Sequence, residues 1–86
     1  VEGTRHRFVY AIALHDLGQP SEAVAQLQAL LRSVPQSTEV LLALTDYSVE
    51  LGQRKKALGY AKMLTQIAPG NRAYQALYQD LSKDSP

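Results

Sequence analysis

Histidine and acidic side chains are the groups in this sequence that could bind a metal ion or transfer a proton. His6 and His15 are the two histidines, and nine residues separate them. This spacing does not bring both imidazoles to one face of a helix, so a shared metal ion is not expected. His15 and Asp16 are neighbours, but adjacent helical residues do not face each other. We therefore predict polar residues at a helix end and no acid–base pair.

Other patterns that would indicate catalysis or cofactor binding are missing from the sequence. It contains no cysteine, which removes disulfides, thiolate metal ligands and cysteine nucleophiles. Its serines lack the G-x-S-x-G turn, and its five glycines do not form a phosphate-binding loop. The sequence therefore predicts a protein that is not an enzyme and that needs neither a cofactor nor a metal.

Charge and hydropathy restrict the kind of partner. Nine basic and eight acidic residues give a formal net charge of +1, whereas proteins that bind a phosphate backbone normally have a basic excess. Nucleic acid is therefore not an expected partner. No apolar run reaches the roughly 18 residues of a membrane span, and residues 1–4 lack the regions of a signal peptide. We expect a soluble protein, with the cytoplasm and the periplasm both left open.

The element that must position these side chains is a helix pair, because the sequence repeats after 34 residues. Each copy has a turn glycine, an alanine early in the following helix, a large apolar residue further on and a closing proline. The matched pairs are Leu17 and Leu51, Gly18 and Gly52, Gln19 and Gln53, Ala23 and Ala57, Leu30 and Leu64, and Pro35 and Pro69. We predict an all-α fold in a single domain, 1–86, with repeats over 4–35 and 38–69 and a capping helix over 71–83.

Local signals predict where the helices begin and end. Gly18 can take the left-handed conformation that ends a helix, and Pro20 suits the first turn of the next. Ser37 and Asn71 are the predicted N-caps, and residues 83–86 are expected to fray. The first helix is predicted to have an apolar stripe of Phe8, Tyr10, Ala11, Ala13, Leu14 and Leu17, widened by Val9 and Ile12.

The fourth predicted helix has two unusual features. Its first turn carries Arg54, Lys55 and Lys56 at the positive end of the helix dipole. These three residues either form a solvated helix end or dock an acidic partner or a lipid headgroup. Gly59, inside the same helix, costs up to about 1 kcal/mol relative to alanine. We favour simple tolerance of this cost over a close approach of another backbone.

The 34-residue unit resembles the tetratricopeptide repeat, in which antiparallel helix pairs stack as a right-handed α-α superhelix. The resemblance depends on Tyr10, Ala11, Leu14, Gly18, Ala23, Leu27 and Pro35 in the first copy and on Leu41, Leu44, Gly52, Ala57, Leu64 and Pro69 in the second. It implies that Ala11 and Ala23 lie where paired helices approach most closely. Arg7, Thr45 and Ser48 depart from the family's pattern, which concerns local packing and not the fold.

The resemblance also implies a function, the binding of a protein or peptide on a concave surface formed by the first helix of each pair. The expected groove residues are Arg5, Phe8, Ile12, His15, Asp16, Glu39, Leu42, Asp46 and Val49. Family members that clamp the C-terminal carboxylate of chaperones use lysine and asparagine, where this sequence has Phe8 and Ile12. We therefore expect a peptide with apolar anchors and not a chaperone tail.

Two alternatives to groove binding stay open. The chain could be a structural appendage that packs in cis on a larger parent protein. Residues 8–15, 57–61 and 68–71 are similar to C-terminal repeat tails of certain bacterial multihaem-cytochrome-like proteins, which would imply a periplasmic parent. The sequence itself has no C-x-x-C-H haem-attachment motif. The other alternative is a weak homodimer through an uncovered first helix.

Overall fold

Five helices form the computed structural model, which describes residues 2–83. They are α1 (Glu2–Asp16), α2 (Pro20–Ser33), α3 (Thr38–Glu50), α4 (Arg54–Ile67) and α5 (Arg72–Lys83). Each helix packs against the next one along the chain. No strand occurs within residues 2–83, and the predicted all-α fold is confirmed. The fraying predicted for residues 83–86 concerns mainly 84–86, which lie outside the described residues.

The turns inside the two helix pairs share one backbone geometry. Gly18 and Gly52 have φ angles of 81° and 74°, in the left-handed region that glycine adopts without a steric penalty. The amide of Gln19 donates a hydrogen bond to the carbonyl of Leu14 at 2.9 Å, and the equivalent bond in the second pair measures 2.8 Å. These bonds satisfy carbonyls that the ends of α1 and α3 would otherwise leave unpaired. The predicted glycine turns are confirmed.

The predicted N-terminal signals of the other helices are also present. Pro20 is the first residue of α2. A backbone N–H at this position would have no acceptor within the helix, so proline loses no hydrogen bond there. The Ser37 hydroxyl oxygen accepts a hydrogen bond from the amide of Val40 at 3.3 Å. The Asn71 side-chain oxygen accepts one from the amide of Tyr74 at 3.1 Å. Both caps occupy donors that a helix start leaves without partners.

The buried apolar side chains form two clusters. The larger cluster joins α1 and α2 to α3, and it consists of Ala11, Leu14, Ala23, Val24, Leu27, Leu30, Val40, Leu44 and Tyr47. The smaller cluster joins α4 to α5 and consists of Ala57, Ala61 and Leu81, with Leu58, Leu77 and Tyr78 packed beside them. Because non-directional burial of apolar area is the main favourable term in folding, the larger cluster is what attaches the second helix pair to the first.

The apolar stripe predicted for α1 is wrong in part. Val9, Tyr10 and Leu17 are 57%, 53% and 74% exposed, and Ala13 is exposed as well. No other helix within residues 2–83 covers this side of α1, which chiefly packs against α2 through other residues. In the second copy, by contrast, Leu44, which is the equivalent of Tyr10, is fully buried in the larger cluster. Equivalent positions of the two copies therefore have different burial, because only α3 has a helix pair on that side within the described residues.

Two residues that depart from the family's pattern differ in whether their hydroxyl groups have a hydrogen-bond partner. Thr45 and Ser48 are both fully buried on α3. The Thr45 hydroxyl donates a hydrogen bond of 2.7 Å to the carbonyl of Leu41, one turn earlier. The Ser48 hydroxyl oxygen is buried without a hydrogen-bond partner, an arrangement that destabilises a fold because the hydroxyl has lost its water. The helix continues through both positions to Glu50.

Replacing Gly59 with alanine should stabilise the protein by about 0.5–1 kcal/mol, because alanine has less backbone entropy to lose in a helix. Gly59 lies inside α4, and a methyl group added there would meet nothing within 4 Å. This open space favours tolerance over a close backbone approach. Thermal denaturation followed by circular dichroism measures the change.

Gly52→Ala is the matched control for Gly59→Ala. A methyl group on Gly52 also meets open space, but the φ angle of 74° is unfavourable for alanine. The melting temperature should therefore fall for Gly52→Ala and rise for Gly59→Ala. Shifts of both variants in the same direction would contradict the two backbone conformations.

Candidate partner-binding groove

A shallow depression of about 370 Å³ lies between α1 and α3. Phe8 and Ile12, one helical turn apart on α1, form one side of it. The other side consists of Glu39, Leu42, Ala43, Asp46 and Tyr47 of α3, and we call these seven residues the α1–α3 groove. Phe8, Ile12 and Ala43 also pack on the larger core cluster, to which Tyr47 belongs. The floor of the groove is therefore continuous with the core.

The structure brings together five of the nine residues predicted for the binding surface. Those five are Phe8, Ile12, Glu39, Leu42 and Asp46. Arg5 lines an adjoining depression, which shares Phe8 and Glu39 with the α1–α3 groove. Val49 does not line the groove, although it lies two turns beyond Leu42 on the same side of α3 and is partly exposed. A role for these residues in binding stays a prediction.

His15 and Asp16, the remaining two predicted residues, lie at the end of α1 beside α3. The His15 imidazole is stacked on the Tyr47 ring, with 3.9 Å between ring centroids and 1° between planes. His15 Nε2 lies 2.6 Å from Glu50 Oε2, a hydrogen-bond distance. These contacts connect α1 to α3 across 35 residues of sequence. They are direct side-chain contacts between the two helices that form the groove.

The expectation that His15 and Asp16 do not face each other is wrong in part. Their side chains approach to 3.7 Å between Nδ1 and Oδ1, which is within ion-pair range but too long for a hydrogen bond. The position of the imidazole is determined mainly by Tyr47 and Glu50 of α3. Local helical spacing cannot indicate such a contact, since its partner lies in the other repeat.

Sequence reasoning missed three residues at this surface, Ala43, Tyr47 and Glu50. A signal for them was present in the spacing. They follow Glu39 by four, eight and eleven positions, and this spacing places all of them on one face of α3. Tyr47 is mostly buried in the larger core cluster and also lines the groove.

Comparison with protein families agrees with this architecture. A family model described as tetratricopeptide repeat matches residues 7–81, which cover the greater part of each of the five helices. The chain belongs to the tetratricopeptide repeat family. Tetratricopeptide repeat domains are in general non-catalytic and mediate interactions between proteins. No curated protein matches the chain significantly. The narrower resemblance to cytochrome-like repeat tails is not supported by these comparisons.

Three further features concern residues 2–83 of this tetratricopeptide repeat domain. No helix there is both long and apolar enough to cross a membrane. No group of three or more histidine, aspartate or glutamate side chains in the described part could hold a metal ion. Arg54, Lys55 and Lys56 are exposed at the start of α4. Both interpretations of this basic cluster stay open.

Several carboxylates lie close together at one end of the α1–α3 groove. Partial burial, and then the nearby Glu50 carboxylate, raise the pKa of the Asp46 carboxyl above its ordinary value. Burial is also the main reason why the pKa of the Tyr47 hydroxyl is raised, and Asp16, Glu50 and Asp46 add to the effect. Each of these carboxylates disfavours a further negative charge nearby. The end of the groove near Asp46 therefore has a negative potential.

Asp46→Asn should raise the melting temperature at neutral pH. A carboxyl whose pKa is higher in the folded than in the unfolded chain destabilises the fold when it is ionised. The increase in stability that asparagine brings should be complete at pH values above the folded-state pKa of Asp46. It should shrink as the pH falls through that pKa and vanish below the ordinary value of 3.8. Thermal melts of both proteins across this pH range measure the difference.

Asp80→Asn, which changes an exposed carboxyl on α5, is the control for Asp46→Asn. It should produce no comparable gain, because Asp80 lies outside the acidic end of the groove. A lower melting temperature for Asp46→Asn at neutral pH would mean that the Asp46 carboxylate stabilises the fold. That result would contradict the electrostatics described here.

Proposed function

We propose that this domain is a non-enzymatic interaction module that binds a peptide or a protein segment in the α1–α3 groove. The observation that carries the proposal is the accessible apolar surface formed by Phe8, Ile12 and Leu42 between carboxylates of α3. Leu42 is 37% exposed, although it is a large apolar residue in the middle of a helix. Apolar anchors buried in such a surface supply most of the affinity, and polar groups at the rim fix orientation.

The construction of the groove supports this function. Its floor side chains pack on the larger core cluster, and His15 joins the two helices through Tyr47 and Glu50. Helices held in this way lose little conformational freedom when a ligand arrives, so less binding free energy is lost to ordering. Membership of the tetratricopeptide repeat family supports a protein partner in general terms. The particular surface is our inference from its geometry.

Selection of a phage-displayed peptide library on the complete 86-residue chain tests the proposal. Peptides recovered on the unchanged protein should bind Leu42→Gln at least about tenfold more weakly, because a central apolar anchor is lost. Glutamine is neutral, so the comparison does not alter the charge of the groove. Circular dichroism melts establish that each variant is folded.

Leu17→Gln is the matched control for Leu42→Gln. Leu17 is also a leucine with an exposed side chain, but it follows α1 and does not line the groove. The selected peptides should bind Leu17→Gln as tightly as they bind the unchanged protein. Equal binding to Leu42→Gln and to the unchanged protein would exclude the α1–α3 groove as the binding surface.

Exposed apolar residues outside the α1–α3 groove support two alternatives to groove binding. These are packing in cis on a larger protein and weak homodimerisation. Val9 and Tyr10 of α1, and Leu17 just after it, are more than half exposed. Light scattering at high concentration tests the dimer, and a monomer throughout would exclude it. Slower hydrogen exchange of α1 in a longer protein that contains this chain would support packing in cis, and unchanged exchange would oppose it.

A further inference from the structure

Charge is unevenly distributed around the α1–α3 groove. Helix α3 contains Glu39, Asp46 and Glu50 on one face, and it contains no lysine or arginine. These carboxylates extend over about 16 Å along the helix, given a rise of 1.5 Å per residue. Asp16 of α1 lies at the same end as Glu50, since both are close to His15. An acidic strip therefore runs beside the apolar floor of the groove.

This acidic strip is a local feature and does not reflect the composition of the chain. The sequence has nine basic and eight acidic residues, and four of the eight acidic residues belong to the strip. Of the nine basic residues, all of which lie within residues 2–83, only Arg5 lines the α1–α3 groove or the adjoining depression, and it lies in the adjoining one. The groove thus has negative potential while the protein as a whole is close to neutral. Such local fields select partners of opposite charge.

Asp46 and Leu42 show where a cation would lie relative to an apolar anchor. They are four residues apart on α3, which corresponds to about 6 Å along the helix. The pKa of the Asp46 carboxyl is raised by its partial burial and by Glu50. A positive group placed beside Asp46 would offset these two unfavourable effects, because an opposite charge favours the ionised carboxyl.

We propose that the partner of the α1–α3 groove is a basic amphipathic segment. An apolar side chain of the segment lies between Phe8, Ile12 and Leu42, and a lysine or arginine about one helical turn away pairs with Asp46. The inference rests on the proposed function and adds the chemistry of the partner. Apolar burial supplies affinity, whereas the acidic strip selects the sign of charge and raises the association rate.

Three synthetic helical peptides of about 14 residues test the inference. All three have the same leucine and phenylalanine anchors along one stripe. The residue four positions after each anchor is lysine in the first peptide, glutamine in the second and glutamate in the third. Each is titrated into the ¹⁵N-labelled full chain at low and at high salt, and amide chemical shifts are followed.

The lysine peptide should shift the amides of Ile12, Leu42 and Asp46 and should bind about tenfold more tightly than the glutamate peptide at low salt. High salt should narrow this gap, because it screens exposed charge pairs. Asp46→Asn should weaken binding of the lysine peptide about two- to fivefold, the usual size for one exposed pair. It should leave the affinity of the glutamine peptide unchanged. Asp80→Asn, on α5, should affect neither peptide.

Failure of this inference can be distinguished from failure of the proposed function. Equal affinity of all three peptides for the groove would overturn the charge preference and leave groove binding intact. Shifts outside the groove, or no shifts with the lysine peptide, would also overturn the inference. In that case, library peptides that require Leu42 but lack lysine and arginine would still support the proposed function. Loss of the Leu42 dependence would remove both.

Discussion

Replacing Leu44 with alanine should lower the free energy of unfolding by about 2–5 kcal/mol. Leu44 is fully buried and belongs to the cluster that joins α3 to the first helix pair. The variant loses the transfer free energy of the removed methyl groups and also leaves a cavity. Small domains are only marginally stable, at about 5–15 kcal/mol, so this loss is a large fraction of the total. We therefore expect a clearly lower urea midpoint for the variant. Urea denaturation followed by circular dichroism measures the loss.

Leu42→Ala is the control for Leu44→Ala, because it makes the same chemical change on the same helix. Leu42 is 37% exposed, so less apolar area is lost and solvent fills the space. The loss of stability should stay below about 1 kcal/mol. An unchanged urea midpoint for Leu44→Ala, or equal losses in both variants, would contradict the packing of α3 on the first helix pair.

Ala23→Leu should lower the melting temperature by several degrees. Ala23 is fully buried in the larger core cluster, near the start of α2. Extra carbon atoms at this position must push the helices apart or force unfavourable rotamers, which costs about 1–3 kcal/mol. In a domain of this length each kcal/mol shifts the melting temperature by about 4–8 °C. Ala57→Leu should act in the same direction, because Ala57 is the equivalent and fully buried residue of the second copy.

Ala25→Leu is the control for Ala23→Leu, since Ala25 is exposed on the same helix. Alanine and leucine both favour helix, so this variant should melt close to the unchanged protein. Thermal melts of the three proteins under identical conditions separate overpacking from helix propensity. A melting temperature for Ala23→Leu equal to that of the unchanged protein would mean that the two helices do not approach closely at this alanine.

These variants also separate stability from binding. Leu44 and Ala23 lie in the core and do not line the α1–α3 groove, whereas Leu42 lines the groove and contributes little to the core. Binding measured on a folded Leu42 variant therefore reports on the surface itself. The two measurements together distinguish a protein that has lost its partner site from one that has lost its fold.

Local information was sufficient for the helices and the turns. Gly18 predicted a left-handed helix end, and Ser37 and Asn71 predicted N-caps, because each signal depends on backbone geometry within a few residues. The 34-residue period then predicted that the two copies have the same shape, and the family match over residues 7–81 agrees. Some of the groove residues could also be predicted from the sequence, because helical spacing indicates which residues of α3 share a face.

Contacts between the copies could not be obtained from spacing. Tyr10 and Leu17 have the residue types of a core stripe, but they are exposed because α1 lacks a packed neighbour on that side within the described residues. The stacking of His15 on Tyr47 and its contact with Glu50 likewise join side chains about 35 residues apart. Helical period, turn geometry and capping are properties of short segments, so the amino-acid sequence specified the repeat. Burial and electrostatic environment depend on distant segments, so the folded structure alone decided which apolar residues stay exposed and where the acidic strip lies.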